Sequence, residues 1–259
     1  MKYDYDINKL FEFFKYWKDY THPTEFYNEG WLLKLVVLSV TDHAANKVEL
    51  RGHPLFVDHE SKFFSEGLLF SPFLAKPGKK QFAESHTHAD GVIGDFSIGN
   101  DKSKGSVHLK GNKLNVFEAK INSEFSKDVT NASFYNQAAR YIACITETID
   151  KAEKLEVLND LTIGFFLLVP KDQYKAKKSF EKFLDKKHIF ETVKKRVDQY
   201  VKEDDYKERK EWFDKKFSPV LEKIDIEPTF YEDIISDLKD YEFHYEINKF
   251  YESCLQYNK

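Results

Sequence analysis

Cysteine is scarce in this sequence, and the cysteines present are not placed for a disulfide framework. Only Cys144 and Cys254 occur among the 259 residues, and both stand in segments with a helical pattern. Two such distant residues form neither the dense bridges of a small secreted domain nor a Cys-x-x-Cys metal knuckle. We therefore expect a reducing compartment and a cytoplasmic protein.

Long hydrophobic runs are also missing. The longest cover residues 31–40, where Lys34 interrupts the run, and residues 163–169. Both are shorter than the roughly 20 residues that a membrane-spanning helix needs. The first residues, MKYDYD, are acidic and polar, which is not the pattern of a secretory signal. The sequence therefore predicts no association with a membrane.

Three common motifs of nucleotide-binding proteins and hydrolases are absent. The chain has no G-x-x-x-x-G-K-[ST] loop, no G-x-G-x-x-G turn and no G-x-S-x-G elbow. The chain itself is therefore not expected to couple its activity to nucleotide hydrolysis.

The chain does have enough apolar content for a large core, and charge that is unevenly distributed. Hydrophobic residues make up 41%, with 24 Phe and 15 Tyr but one Met, so aromatic rings must fill much of the interior. The net charge is −4, which argues against strong attraction of the whole chain to nucleic acid. Residues 171–196 nevertheless carry ten Lys and Arg against four Asp and Glu. This basic segment, with Tyr174, Phe180 and Phe183, either contacts a phosphate backbone or is an ordinary solvated helical face.

The periodicity of apolar residues predicts an α/β protein. Helices are expected over residues 6–20, from Glu25 to about Thr41 with Thr24 as N-cap, and over 131–152. Strands are expected near 55–57 and 68–73, and over 90–98, 113–121 and 161–169, with turns at 76–80, 99–105 and 110–112. From residue 171 onward the pattern is helical. We therefore predict a core over residues 1–170, with a mixed sheet flanked by helices, and a helical extension over 171–259 packed on it.

The pattern with the clearest chemical meaning is Asp90 followed 28 positions later by Glu118-Ala119-Lys120. On a strand, Glu118 and Lys120 project from the same face. A carboxylate and an ammonium on an otherwise apolar strand are costly to bury unless they are paired or used. Asp90, on the neighbouring strand, can approach Glu118, and two converging carboxylates suit a hard cation such as Mg²⁺ or Mn²⁺. Asp95 remains the alternative ligand on the same strand.

The arrangement Asp90, a hairpin, and then Glu118-x-Lys120 resembles the PD-(D/E)XK, or restriction-endonuclease-like, nuclease superfamily. Ala89 stands where the superfamily's motif has proline. The resemblance extends over about residues 24–170 and includes two further features. These are a Glu in the helix before the sheet, Glu29 or Glu25, and a Gln and Tyr four residues apart on the helix after it, Gln137 and Tyr141.

The resemblance implies a restriction-endonuclease-like core and metal-dependent hydrolysis of phosphodiester bonds. Asp90, Glu118 and the backbone carbonyl of Ala119 would bind Mg²⁺ or Mn²⁺, and Lys120 would orient the attacking water. Gln137 would position that water or Lys120, and Glu29 would complete the metal's outer shell or a second metal site. The expected substrate is nucleic acid, DNA rather than RNA, in restriction, phage defence or repair. Because the net negative charge argues against tight binding by a monomer, a homodimer or a partner protein is expected.

Two other interpretations remain open at this stage. His86, His88 and Asp90 alternate along one strand and are ligand types for zinc or iron, with His53, His59 or His108 completing the set. A metallohydrolase would follow from that site. Alternatively, the chain is a non-catalytic binding or assembly module with the nuclease fold.

Overall fold

The computed structural model describes residues 7–74, 82–84, 86–99, 105–125 and 132–258, and there the chain forms a mixed sheet with helices on both faces. The strands are β1 (Lys62–Leu69), β2 (Thr87–Ile98), β3 (Val107–Ala119), β4 (Thr162–Val169) and β5 (Asp225–Phe230). The helices are α1 (Ile7–Trp17), α2 (Pro23–Phe26), α3 (Glu29–His43), α4 (Gln137–Lys151), α5 (Lys171–Ala176), α6 (Ser179–Leu184), α7 (Lys186–Asp198), α8 (Tyr206–Trp212), α9 (Ser218–Lys223), α10 (Tyr231–Asp237) and α11 (His244–Tyr257). Short 3₁₀ segments lie at Val48–Gly52 and Leu155–Asp160, and a π-helical turn at Phe213–Phe217 joins α8 to α9.

The sheet has the strand order β1-β2-β3-β4-β5. β1, β2 and β3 pair in antiparallel fashion, whereas β3, β4 and β5 are parallel. The predicted α/β class, with a mixed sheet flanked by helices, is therefore confirmed. β3 is the strand at which the antiparallel and parallel halves meet.

The expectation that residues 171–259 are purely helical is wrong at one place. Asp225–Phe230 forms β5 and extends the sheet beside β4. Pro228 lies inside this strand and obscured it in the sequence, because proline cannot donate to a ladder and argues against a central strand. β5 is the last strand of the sheet order, and an edge strand tolerates proline. The C-terminal segment thus contributes to the sheet as well as covering it.

Two apolar layers sandwich the sheet. One layer packs α1, α3, α10 and α11 against the sheet, and the other packs α4, α6, α7 and α9 against the opposite face. Alternation along β3 assigns its side chains between them: Val116 belongs to the α4 layer, and Phe117 and Ala119 belong to the α3 layer. Glu118 therefore points from the sheet toward α4.

Several predicted boundaries differ in the structure. The single helix expected from Glu25 is two helices, and the cap that begins α3 is Asn28, not Thr24: Asn28 Oδ1 accepts a hydrogen bond from the amide of Trp31 at 3.0 Å. Residues 55–57 do not form a strand, and β1 covers Lys62–Leu69 rather than 68–73. The expected turn at 76–80 and most of the turn expected at 99–105 lie outside the described residues. The helix expected from residue 131 begins only at Gln137, and the described residues before it, 132–136, are not helical.

The turn expected at 110–112 is instead absorbed into β3 as an irregularity. The β2–β3 register shifts between Gly94, which faces Leu114, and Phe96, which faces Leu109. A Cβ atom on Gly94 would lie 2.1 Å from the carbonyl oxygen of Lys113, so only glycine fits where the strands approach. This shift sets the register that brings Gly91 opposite Phe117 at the far end of the hairpin.

Candidate active site

The site forms where β2 separates from β3. Their pairing ends at Gly91 and Phe117. Beyond that pair the Asp90 carboxylate takes the place of a main-chain acceptor, because its Oδ2 accepts a hydrogen bond from the amide of Ala119 at 2.7 Å. β2 continues beside β1, while β3 stays paired with β4 as far as Ala119 and Leu168. An opening therefore lies at the carboxyl end of β3, the end of parallel strands at which ligand sites usually form.

Glu118 lies at the centre of this opening and is only 1% exposed. Its Oε1 accepts a hydrogen bond from Gln137 Nε2 at 2.6 Å and pairs with the Lys120 ammonium, and its Oε2 accepts from the Tyr141 hydroxyl at 2.6 Å. Gln137 and Tyr141 share a face of α4 because they are four residues apart. Three donors compensate for the burial of this carboxylate.

Lys120 lies beside Glu118 in a largely buried position. Burial by itself would lower the pKa of the ammonium, but the negative charges of Glu118, Asp90 and Glu29 together raise it. Lys120 is consequently protonated at neutral pH. It can supply a fixed positive charge to an anion but cannot act as a proton acceptor there.

Asp90 is a carboxyl group in an unfavourable electrostatic position. Burial, and then the negative charge of Glu118, raise its pKa to about 8, against the opposing effects of the Ala119 amide and Lys120. Burial also raises the pKa of Glu118, again with Lys120 opposing the shift. Two carboxylates in this arrangement repel each other, and a divalent cation between them would relieve that repulsion.

Glu29, the first residue of α3, also reaches this cluster. Its Oε1 accepts hydrogen bonds from the amide of Ile121 at 2.5 Å and from Ser123 Oγ at 2.9 Å. Glu29 thus holds the backbone that follows Lys120. The alternative Glu25 is exposed on α2 and does not belong to the cluster.

The alternative metal ligands lie elsewhere. The Asp95 carboxylate occupies the space beside Gly111, where a Cβ atom would lie 2.1 Å from Asp95 Oδ2, away from Glu118. His86 and His88 are exposed, and His88 Nδ1 lies 3.3 Å from the carbonyl oxygen of Glu66. His53 Nδ1 accepts from the amide of Leu55, His59 lies near Glu60, and His108 is bonded to Ser106. No group of three or more His, Cys, Asp and Glu in the described part of the chain is arranged to hold a metal.

The donor atoms at the opening nevertheless fit magnesium chemistry. Mg²⁺ is usually bound by one or two carboxylates, with waters and substrate phosphates as its other ligands, so a two-carboxylate site is sufficient. An ionised carboxylate has about four acceptor sites, and three donors use three of those of Glu118. In an extended strand the amide and carbonyl of one residue point the same way, so the Ala119 carbonyl faces Asp90 as its amide does.

Two residues of the C-terminal segment adjoin the cluster and were not predicted from the sequence. Gln173, on α5, binds the turn that follows Lys120. Tyr231, at the start of α10, is fully buried, its hydroxyl has no hydrogen-bond partner among the described residues, and the charges of Glu29 and Asp90 act on it. Nothing local in the sequence marks either residue, because the sheet brings them to the site from a distance.

Some of the residues expected to contact nucleic acid in the basic segment 171–196 are exposed, and others are buried. Arg196 is fully buried and bonded to Glu84, and Phe180 is fully buried in the α4 layer, so neither is available to a nucleic acid. The expected aromatic contacts are therefore wrong for Phe180. The exposed cations of the segment are Lys175, Lys178, Lys182, Lys186, Lys187, Lys194 and Lys195.

Comparisons with known proteins supply no relative for this chain. No family model matches it, and no match was found among curated proteins or among solved structures. Among the described helices, none is long and apolar enough to cross a membrane.

Proposed function

We propose that this protein is a metal-dependent nuclease that hydrolyses phosphodiester bonds, with a restriction-endonuclease-like core. The observation that carries the proposal is that Asp90, which is distant in sequence, meets Glu118 and Lys120 at one opening in the sheet. Gln137 supports it further, because it reaches the cluster from α4, although the hydrogen bond from its Nε2 goes to Glu118 and not to Lys120 as the resemblance implied.

Each residue has a role that its contacts support. Asp90, Glu118 and the Ala119 carbonyl would hold Mg²⁺ or Mn²⁺, which when bound polarises a phosphate and lowers the pKa of a coordinated water. Lys120, protonated by its acidic surroundings, stabilises negative charge that develops on the phosphate oxygens. Gln137 and Tyr141 fix the orientation of Glu118, and Glu29 fixes the backbone after Lys120.

The proposed substrate is nucleic acid, with DNA favoured over RNA. Lys177 donates to the carbonyl of Asn122, so the basic segment begins directly beside the site, and its exposed lysines would contact the phosphate backbone. The net charge of −4 weakens binding of nucleic acid by a single chain, and a homodimer or a partner protein would add the contacts needed for tight binding. Restriction, phage defence or repair in the cytoplasm is the corresponding biological setting.

The decisive experiment measures cleavage of plasmid, linear duplex DNA, single-stranded DNA and RNA with Mg²⁺, Mn²⁺ or a chelator. We expect Glu118→Gln and Lys120→Met to lower the rate by about 100-fold or more, since both groups act on the charge of the transition state. Asp95→Asn and Lys113→Met are the matched controls, on β2 and β3 respectively and away from the opening. Loss of cleavage in Asp95→Asn, with full activity in Asp90→Asn, would transfer the site to Asp95.

The same assay addresses the two other interpretations. If the wild-type protein binds DNA but cuts no nucleic acid with either metal, the non-catalytic module gains support. Stoichiometric zinc in the purified protein, lost in His86→Ala and His88→Ala but retained in Glu118→Gln, would instead favour the histidine-centred metallohydrolase.

A further inference from the structure

The end of β3 and the turn that follows Lys120 are held by four successive hydrogen-bonded amides, three of which donate to side chains. The amide of Ala119 donates to Asp90, that of Ile121 to Glu29 and that of Asn122 to Gln173, while the amide of Lys120 donates to the Leu168 carbonyl at 2.8 Å. Asn122 has a φ of 60°, in the left-handed region that asparagine tolerates better than most residues. The backbone that carries Lys120 is therefore fixed on all sides.

Gln173 makes two of the hydrogen bonds that hold this turn. Its Oε1 accepts from the amide of Asn122 at 2.7 Å, and its Nε2 donates to the carbonyl of Ser123 at 2.5 Å. The side chain is only 8% exposed, so water cannot easily replace either bond. A carboxamide is the side-chain group that offers an acceptor and a donor at this spacing.

Gln173 and Glu29 hold the turn from different elements. Glu29 belongs to α3, before the sheet, and binds Ile121 and Ser123, whereas Gln173 belongs to α5, directly after β4. Lys177, one turn further along the chain from Gln173, donates to the Asn122 carbonyl at 3.2 Å. The C-terminal segment thus takes part in shaping the site through this turn.

We propose that Gln173 is a positioning residue of the candidate site, which fixes the turn after Lys120 so that the ammonium stays against Glu118. Its kinetic consequence rests on the proposed nuclease function, but its effect on Lys120 does not. Loss of Gln173 would free the Asn122 amide and the Ser123 carbonyl, and Lys120 would spend less time paired. Substrate contacts would remain, because both side-chain hydrogen bonds of Gln173 within the described part of the chain go to main-chain atoms.

The test replaces Gln173 with methionine, which has a similar length but makes no hydrogen bonds here. Acetylation of each lysine by an amine-reactive reagent is followed by mass spectrometry, with cleavage kinetics measured in parallel. We expect Lys120 to be acetylated at least about threefold faster in Gln173→Met, because an amine that is released from Glu118 is more accessible to the reagent. Lys113, which lies on β3 and is ion-paired with Asp58, should be acetylated at its wild-type rate.

The expected kinetic effect falls on kcat and not on KM. The kcat for DNA cleavage should fall about tenfold to a hundredfold while KM stays within about twofold, as for a misplaced catalytic group. Gln199→Met, which removes a glutamine bonded to Arg196 away from the site, should change neither kcat nor the reactivity of Lys120. Gln173→Asn is a milder change, and it should give a smaller rise in Lys120 acetylation and a smaller fall in kcat. It replaces Gln173→Met in the test if the methionine variant does not fold.

The outcomes separate the two proposals. Unchanged Lys120 acetylation in folded Gln173→Met and Gln173→Asn would overturn the positioning role. If the wild-type protein cuts no nucleic acid, the proposed function fails, and faster acetylation of Lys120 still supports the positioning role of Gln173.

Discussion

The protein buries a glutamate beside basic side chains in two places, and the two clusters differ in their charge balance. Glu84 is bonded to Arg196 at 3.2 Å, lies 3.3 Å from Arg140, and accepts from Ser71 at 3.0 Å. In this structural cluster two cations surround one anion. In the candidate site, by contrast, Lys120 is surrounded by Glu118, Asp90 and Glu29.

The difference indicates what each cluster is for. Arg196 is fully buried, stacks near three aromatic rings, and also donates to the Phe82 carbonyl, so the structural cluster ties the segment at 82–84 to α7. The candidate site instead retains excess negative charge in a buried place, which costs stability. Proteins keep such an arrangement where a cation or a reaction uses it.

The largest expected effect on stability tests the structural cluster. Arg196→Met would leave the buried Glu84 short of its main partner, and breaking a buried ion pair in this way costs about 3–5 kcal/mol. Urea unfolding measures the loss. The folded fraction should keep its wild-type cleavage rate, and a changed rate per folded molecule would show that the two clusters are not separate in function.

The second prediction concerns Asp90, whose substitution is expected to stabilise the protein rather than destabilise it. Because its folded pKa of about 8 lies above the ordinary value of 3.8, the folded protein binds this proton more tightly than the unfolded chain. The stabilisation is thus complete below about pH 4 and is lost as the pH rises to about 8. Asp90→Asn should remove this loss and stabilise the protein by about 1–3 kcal/mol at about pH 9 without divalent metal.

The control for Asp90→Asn is the same measurement at about pH 3, below the ordinary pKa of the carboxyl, where Asp90 is protonated in both the folded and the unfolded protein. The two proteins should be nearly equal in stability there. The variant should also lose cleavage activity. A variant that is less stable than wild type at high pH would show that the Asp90 carboxylate is well accommodated, and the contrast between the clusters would disappear.

The third prediction concerns metal binding. Asp90 must lose its proton to bind Mn²⁺, so the apparent affinity should rise about tenfold per pH unit between about pH 6 and pH 7.5. Calorimetry with Mn²⁺ in two buffers of different ionisation enthalpy would also report the released proton. An affinity that does not change over this range would remove Asp90 from the ligand set.

The last prediction compares two buried tyrosines on opposite faces of the sheet, one of which has the smallest expected effect. Tyr141→Phe removes a hydroxyl that donates to Glu118, a bond to a charged group worth about 1.5–3 kcal/mol. Tyr231→Phe removes a buried hydroxyl that has no partner among the described residues, so the change should be neutral or stabilising by less than about 1 kcal/mol. Equal destabilisation by both substitutions in thermal unfolding would indicate that Tyr231 has a partner after all.

Part of the candidate site was predictable because its residues stand on elements with strong local patterns. Glu118 lies on an apolar strand that ends one residue before Lys120, Gln137 and Tyr141 lie on an amphipathic helix, and Asp90 lies on the strand before the hairpin. Gln173 was not predictable, since a glutamine in a basic helical segment looks like a surface residue. Only the parallel pairing of β3 with β4 brings α5 beside the turn after Lys120.

The fold shows the same division between local and long-range information. The sequence alone determined the class of the protein, the strands on either side of the hairpin and the pairing of acidic and basic residues on β3, because periodicity and local charge are written within a few residues. The tertiary structure decided that Asp225–Phe230 joins the sheet, that β2 leaves β3 at Asp90, and that Arg196 is buried. Those outcomes depend on which distant segments shield each other from water, and that free energy belongs to no single stretch of the chain.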